Sequence, residues 1–99
     1  KMVELLLENG ADINLASEWG TVLQSAAYKN SKETVELLLE RGANINLDSY
    51  RGTALQLAAS TNSKETVELL LENGADTNLA SKGSTALQWA ASANSKEIV

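Results

Sequence analysis

Two apolar patterns alternate along this chain, and both return every 32 residues. In the first, Val67, Leu70 and Leu71 stand at i, i+3 and i+4 with Leu69 beside them, the spacing of one helix face. It predicts a helix from about Lys64 to Asn73, ended by Gly74, where a left-handed residue is wanted. The same pattern occurs at Val3-Glu4-Leu5-Leu6-Leu7 and Val35-Glu36-Leu37-Leu38-Leu39. In the second, Leu55, Ala58, Ala59 and Asn62 stand at i, i+3, i+4 and i+7. Thr53 and Gln56 have the spacing of a capping box, in which each side chain satisfies the other residue's backbone amide. Thr21 with Gln24 and Thr85 with Gln88 repeat it. Because alanine is small, this second kind of helix can lie close to its neighbour. Asn62 is expected to end it in the left-handed region, and Ser63 to cap the helix that follows. Residues 75–84 read as a loop, since Asp76, Asn78, Ser81 and Gly83 are turn formers.

Each unit is therefore helix, tight turn, helix and an extended finger. A unit so small cannot bury its apolar face alone and must stack on its neighbours, so the expected fold is an all-α repeat solenoid. The 99 residues make a single domain of roughly three repeats, split at 1–30, 31–62 and 63–94, with 95–99 a partial unit. Burial of one leucine is worth about 1.5–3 kcal/mol, so the Leu-Leu-Leu runs are expected to supply most of the stability. The chain opens inside one such run and stops at Glu97-Ile98-Val99, without the polar end cap solenoids use. It reads as a slice of a longer array, marginally stable in isolation.

Comparison of the copies with one another separates two kinds of position. Leu23, Ala26, Ala27 and Asn30 have identical equivalents throughout, whereas Val22, Ser25, Tyr28 and Lys29 do not. At about 100° per residue the two sets fall on opposite arcs of one helix. The fixed arc is expected to be core and the changing arc to face outward. The finger changes too, reading Glu18-Trp19-Gly20, Tyr50-Arg51-Gly52 and Lys82-Gly83-Ser84 in turn. All four aromatics of the chain, Trp19, Tyr28, Tyr50 and Trp89, sit on the changing finger or the changing arc. Trp and Tyr dominate binding energy at many interfaces, with truncation costs of about 2 kcal/mol or more at the best sites. An alternative for Trp89 is packing against Leu57 of the neighbouring repeat.

Charge and composition remove several classes. The net charge of −5 argues against a nucleic-acid partner, which needs clustered Lys and Arg. No apolar run approaches the ~18 residues of a membrane span. Lys1-Met2 leads into Glu-rich sequence, not a secretory signal. The absence of cysteine fits a reducing compartment, and a cytoplasmic location is expected. With no His or Cys, the Glu36/Glu40 pair lacks partners for catalysis and reads as a solvated face. Asp12 and Asp76 read as turn residues, since Asn44 replaces them once, and neither metal nor cofactor is expected. Lys82-Gly83-Ser84-Thr85 lacks the upstream glycine spacing of a phosphate loop. No enzyme activity is expected.

Leu5 to Asn14, reading Leu-Leu-Leu-Glu-Asn-Gly-Ala-Asp-Ile-Asn, resembles the second helix and loop start of the ankyrin repeat. Thr53-Ala54-Leu55-Gln56-Leu57-Ala58-Ala59 resembles the family's T-P-L-H-x-A-A. Essentially the whole chain is covered, with three departures. Val or Ala and Gln replace the motif's Pro and His; the unit is one residue shorter than the family's usual ~33; and Asn-Ser replaces Gly-His between the helices. Gln24, Gln56 and Gln88 can still both donate and accept where the family uses His.

The resemblance implies helix-turn-helix units joined by short finger loops, with a concave binding surface made of fingers and first helices. The second helices, carrying Glu4, Glu8, Glu36, Glu40, Glu68 and Glu72, form the convex back. The implied function is protein–protein interaction with a protein ligand. The implied contact residues are Glu18, Trp19, Ser25, Tyr28, Lys29, Tyr50, Arg51, Leu57, Ser60, Thr61, Lys82, Gly83, Trp89, Ser92 and Ala93. The near-identical G-T-A-L-Q-x-A-A copies are also similar to arrays in NOD-like receptors of filamentous fungi, where the array would be the ligand-sensing end. A second reading stays open, a structural spacer or self-assembling array whose ends stack on each other.

Overall fold

A computed structural model describes residues 2–49, 51–80 and 83–98, with side chains to residue 93. The described chain holds six helices: α1 (Met2–Glu8), α2 (Val22–Tyr28), α3 (Lys32–Glu40), α4 (Ala54–Ser60), α5 (Lys64–Glu72) and α6 (Ala86–Ile98). Extended pairing among these residues is limited to one bridge, Ser17 with Gly20. The helices form two layers. α2, α4 and α6 stack side by side, while α3 packs on α2 and α5 on α4. The stack measures 47 × 23 × 22 Å, an elongated body. This is the expected all-α solenoid.

Local chemistry explains where the helices start and stop. Thr21 accepts from the Gln24 amide at 3.2 Å, and Gln24 Oε1 accepts from the Thr21 amide at 2.9 Å. Thr53 and Gln56 repeat the box at 3.2 and 3.0 Å. The fixed Asn30 and Asn62 have φ of 58° and 60°, the left-handed conformation expected for Asn62. Around Asn62 the turn is closed by Ser63 N–H on the Ala58 carbonyl at 3.0 Å and Asn62 N–H on the Ala59 carbonyl at 3.1 Å, a Schellman pattern. α3 and α5 end the same way, with Ala43 N–H on the Leu38 carbonyl and Ala75 N–H on the Leu70 carbonyl, both at 3.0 Å.

The core is shared between the layers: Leu23, Ala26 and Ala27 of α2, Val35 and Leu38 of α3, Leu55, Ala58 and Ala59 of α4, and Leu69 and Leu70 of α5. Between repeats the fingers are tied by a polar ladder. Asn14 Oδ1 accepts from the Asn44 amide at 2.8 Å, and Asn46 Oδ1 from the Asp76 amide at 2.7 Å. Asp12 and Asp76 each accept the amide two residues on at 3.0 Å, which makes them the turn residues expected.

Several expectations are corrected. Ser63 stands at the N-cap of α5 but makes no capping bond with its side chain. Its hydroxyl instead pairs with that of Thr61 at 2.8 Å. Asn30 and Asn62, expected on the core arc, are exposed and hold the left-handed conformation. The changing arc does not all face outward. Ala54, Ala86 and Leu57 are buried and Ser25 and Trp89 half-buried, because these positions lie at the seam where first helices stack. The leucine runs are divided between core and surface: Leu38, Leu69 and Leu70 are buried and Leu7 and Leu39 pack against the core. Leu5, Leu6 and Leu71 are exposed, and Gln24, Gln56 and Thr66 are among the largest fully buried side chains. Finally, α6 runs straight through Asn94, the register position at which Asn30 and Asn62 turn the chain onto α3 and α5.

Candidate functional site

The first two fingers are tight turns, each braced on its own serine. Ser17 and Gly20 exchange backbone bonds at 3.1 and 2.9 Å, and Ser17 Oγ accepts from the Trp19 amide at 3.1 Å. Glu18 and Trp19 are thereby pushed to an exposed tip, with Trp19 62% exposed. The next finger repeats the brace, Ser49 Oγ accepting from the Arg51 amide at 3.2 Å. Gly20 and Gly52 have φ of +89° and +113°, and a Cβ on them would lie 2.4 and 2.7 Å from Gln24 Oε1 and Gln56 Oε1. The positive φ favours glycine at both positions, and a Cβ would also push on the glutamine side chain.

The glutamines carry the fingers across repeats. Gln24 Nε2 donates to the Leu47 carbonyl at 2.7 Å, and Gln56 Nε2 to the Ser84 and Leu79 carbonyls at 2.6 and 3.3 Å. One buried amide side chain thus caps its own helix and anchors the next finger. Its oxygen accepts, its nitrogen donates, and little of its bonding capacity is left unmet.

Between α2 and α4 lies a basin of about 450 Å³ lined by Trp19, Gln24, Ser25, Tyr28, Lys29, Arg51 and Leu57. Leu57, 6% exposed, is its floor. Tyr28 is 50% exposed and Lys29 is exposed. The Arg51 guanidinium lies 5.0 Å from the Trp19 ring centroid, within cation–π range. Between α4 and α6 lies a second basin of about 390 Å³, lined by Ser60, Ser84, Trp89, Ser92 and Ala93. Trp89 is half-buried, and its indole nitrogen is shielded from solvent without a hydrogen-bond partner.

Ten of the expected contact residues thus line two neighbouring basins on the inner layer. Glu18 and Gly83 stay exposed at the fingers, outside both linings. Thr61 is exposed, but its hydroxyl donates to the Leu57 and Ala58 carbonyls. Tyr50 and Lys82 lie outside the described residues. Gln24 and Ser84 were not expected in the site, and neither was the Trp19–Arg51 stack. The register held that last signal. Arg51 is the equivalent of Trp19 one repeat on, and equal positions on adjacent fingers must face each other.

Aromatic, hydroxyl and cationic side chains make up the groove. Its serine hydroxyls have no imidazole to activate them, since the chain has no histidine. Among the described residues no group of three His, Cys, Asp or Glu could hold a metal ion. No described helix is long and apolar enough to cross a membrane. On the opposite face, Glu8, Glu36, Glu40, Glu68 and Glu72 are exposed, while Glu4 is half-buried and 3.7 Å from Arg41.

None of the curated proteins matches this chain. A family model for ankyrin repeats (three copies) matches residues 1–81 and 48–99. Ankyrin repeats are in general protein–protein interaction modules and typically non-enzymatic. The match spans the chain from end to end and joins the stacked hairpins, the bracing fingers and the capping boxes in one explanation: the chain belongs to the ankyrin-repeat family.

Proposed function

We propose that this array binds a protein partner on the concave face formed by its fingers and first helices. The observation that carries this is the first basin, where Trp19, Tyr28 and Arg51 gather over Leu57 although the core needs neither aromatic ring. Exposed aromatics around a buried apolar floor, rimmed by polar groups, are the composition of an interface hot spot. The narrower resemblance suggests a setting, the ligand-sensing end of a cytoplasmic receptor similar to the NOD-like receptors of filamentous fungi. There the near-identical scaffold would let the groove change while the core stays constant.

The test is a paired affinity capture from lysate of the source organism. One bait is this chain and the other carries Trp19, Tyr28, Tyr50 and Trp89 changed to Ala, both checked for helicity. A protein held by the first and lost by the second supports the groove. Equal capture by both sinks it.

A second reading is a self-assembling or spacer array. Leu6 is 55% exposed and Leu87 76% exposed, although their equivalents Leu38 and Leu70, and Leu23 and Leu55, are buried. Association that rises with concentration in sedimentation, survives loss of the aromatics and is abolished by Leu87→Glu would favour that reading.

A further inference from the structure

Resting on the groove being a binding face, we propose that its first basin is selective for an acidic peptide segment carrying one aromatic or long aliphatic residue. The apolar side chain sits on Leu57 between Trp19 and Tyr28, and carboxylates to either side of it meet Arg51 and Lys29.

Charge is sorted between the two faces of the molecule. The outer helices α1, α3 and α5 carry eight glutamates against Lys32 and Lys64. The inner helices α2 and α4 carry no charged residue at all. Into this neutral surface Lys29 and Arg51 bring two cations, and the described lining of the basin includes no carboxylate. Among the described residues neither cation has a carboxylate within ion-pair distance. Net charge and the charge of the basin lining therefore differ in sign, −5 for the chain against two cations in the lining, with the exposed Glu18 just outside it on the Trp19 finger. The local field decides once a ligand is close, because the screening length at physiological salt is only about 8 Å.

The form of the arginine adds to this. The Trp19 ring, 5.0 Å from the guanidinium carbon, engages it without using its N–H groups as donors. A guanidinium against an aromatic face keeps its in-plane N–H edge open, and that edge matches a carboxylate with two parallel hydrogen bonds. Trp19 thus orients the fork that would receive the acid. Lys29, an exposed ammonium with no ring contact of this kind among the described residues, supplies charge without fixed geometry. Two cations are far too few for a nucleic-acid backbone, but they suit a short segment with two carboxylates.

The test selects a displayed library of random peptides on the folded chain and on a Trp19→Ala/Tyr28→Ala variant of matched helicity. The expected result is peptides that carry Asp or Glu around one large apolar residue and are lost on the aromatic variant. Their affinity should fall at least about tenfold with Arg51→Gln and with Lys29→Gln. Arg51→Lys should recover only part of that loss, since it restores charge without the planar fork. Peptides that need the aromatics yet show no acidic enrichment and ignore Arg51→Gln and Lys29→Gln would overturn the acidic selectivity and leave the groove reading standing. Peptides that bind the aromatic variant as well as the parent, or no selection at all, would overturn the groove reading itself.

Discussion

The two basins of the inner layer are built on the same backbone one repeat apart, yet they differ in chemistry. The position that is Tyr28 in the first is Ser60 in the second, and the position that is Ser25 becomes Leu57 and then Trp89. The first basin therefore has an apolar floor beneath an aromatic and cationic rim. The second has a hydroxyl rim and an indole whose N–H is shielded and unpaired. Capping boxes, left-handed asparagines and glutamine anchors hold a common frame around α2 and α4, and four changing positions per copy set what each basin can hold. Conservation of frame and change of lining are separable in this molecule, which is what a recognition scaffold requires.

The largest effect is expected at the floor. Leu57→Ala should cost about 2–5 kcal/mol, the usual range for truncating a buried leucine. Ser25→Ala at the equivalent half-buried position should cost under about 0.5 kcal/mol. Urea denaturation of both variants decides the matter, and similar midpoints would mean that Leu57 is not a true floor. Next in size is the finger anchor. Gly52→Ala places a Cβ 2.7 Å from Gln56 Oε1, whereas at Gly83 a Cβ would meet nothing within 4 Å. Both substitutions place an alanine at positive φ, +113° at Gly52 and +79° at Gly83, and only the first adds the close approach to Gln56 Oε1. Gly52→Ala should be the worse by about 1–2 kcal/mol. A thermal melt in which the two coincide would dismiss the glutamine contact.

Much of this frame was legible from periodicity. The capping boxes at Thr21 and Thr53, the left-handed Asn62 and the boundaries of α4 and α5 lie where the spacing puts them. These features are local, set by residues within one turn of one another. What was harder to read was which positions the stacking of repeats buries. Leu57 varies among the copies, and variation suggests a free surface, but the stacking seam buries that position whatever side chain fills it. Asn30 and Asn62 failed in the reverse sense, being constant and yet exposed, in the left-handed conformation. The Thr66 hydroxyl, buried in α5, donates to Asn30 Oδ1 from a repeat away, a contact that no single-copy pattern contains. Comparing copies detects constraint without naming its cause.

A smaller effect is expected at Trp89. Its unpaired N–H carries a desolvation cost that Phe would not, while the smaller ring gives up some packing. Trp89→Phe should therefore stay within about 1 kcal/mol of the parent in urea. A loss of more than about 2 kcal/mol would mean that the nitrogen is bonded after all. The same substitution leaves Trp19 as the one tryptophan, whose exposed ring should be quenched readily by acrylamide. The converse variant, Trp19→Phe, should leave a fluorophore that is quenched less.

The smallest effect tests the contact that gives the first basin its character. An exposed cation–π pair is worth about 0.5–1 kcal/mol, so Arg51→Gln alone would be hard to interpret against ordinary surface scatter. A double-mutant cycle removes that scatter. Trp19→Leu, Arg51→Gln and the double variant, each unfolded in urea, should give a coupling energy of about 0.5 kcal/mol or more. Because the pair joins adjacent fingers, the coupling reports the alignment of two repeats and not the stability of one. The cation faces a ring and not a carboxylate, so the coupling should persist at high salt better than an exposed ion pair would. A coupling indistinguishable from zero at both low and high salt would mean that the two fingers move independently in solution. Arg51 would then reach a ligand as a free side chain, no better oriented than Lys29.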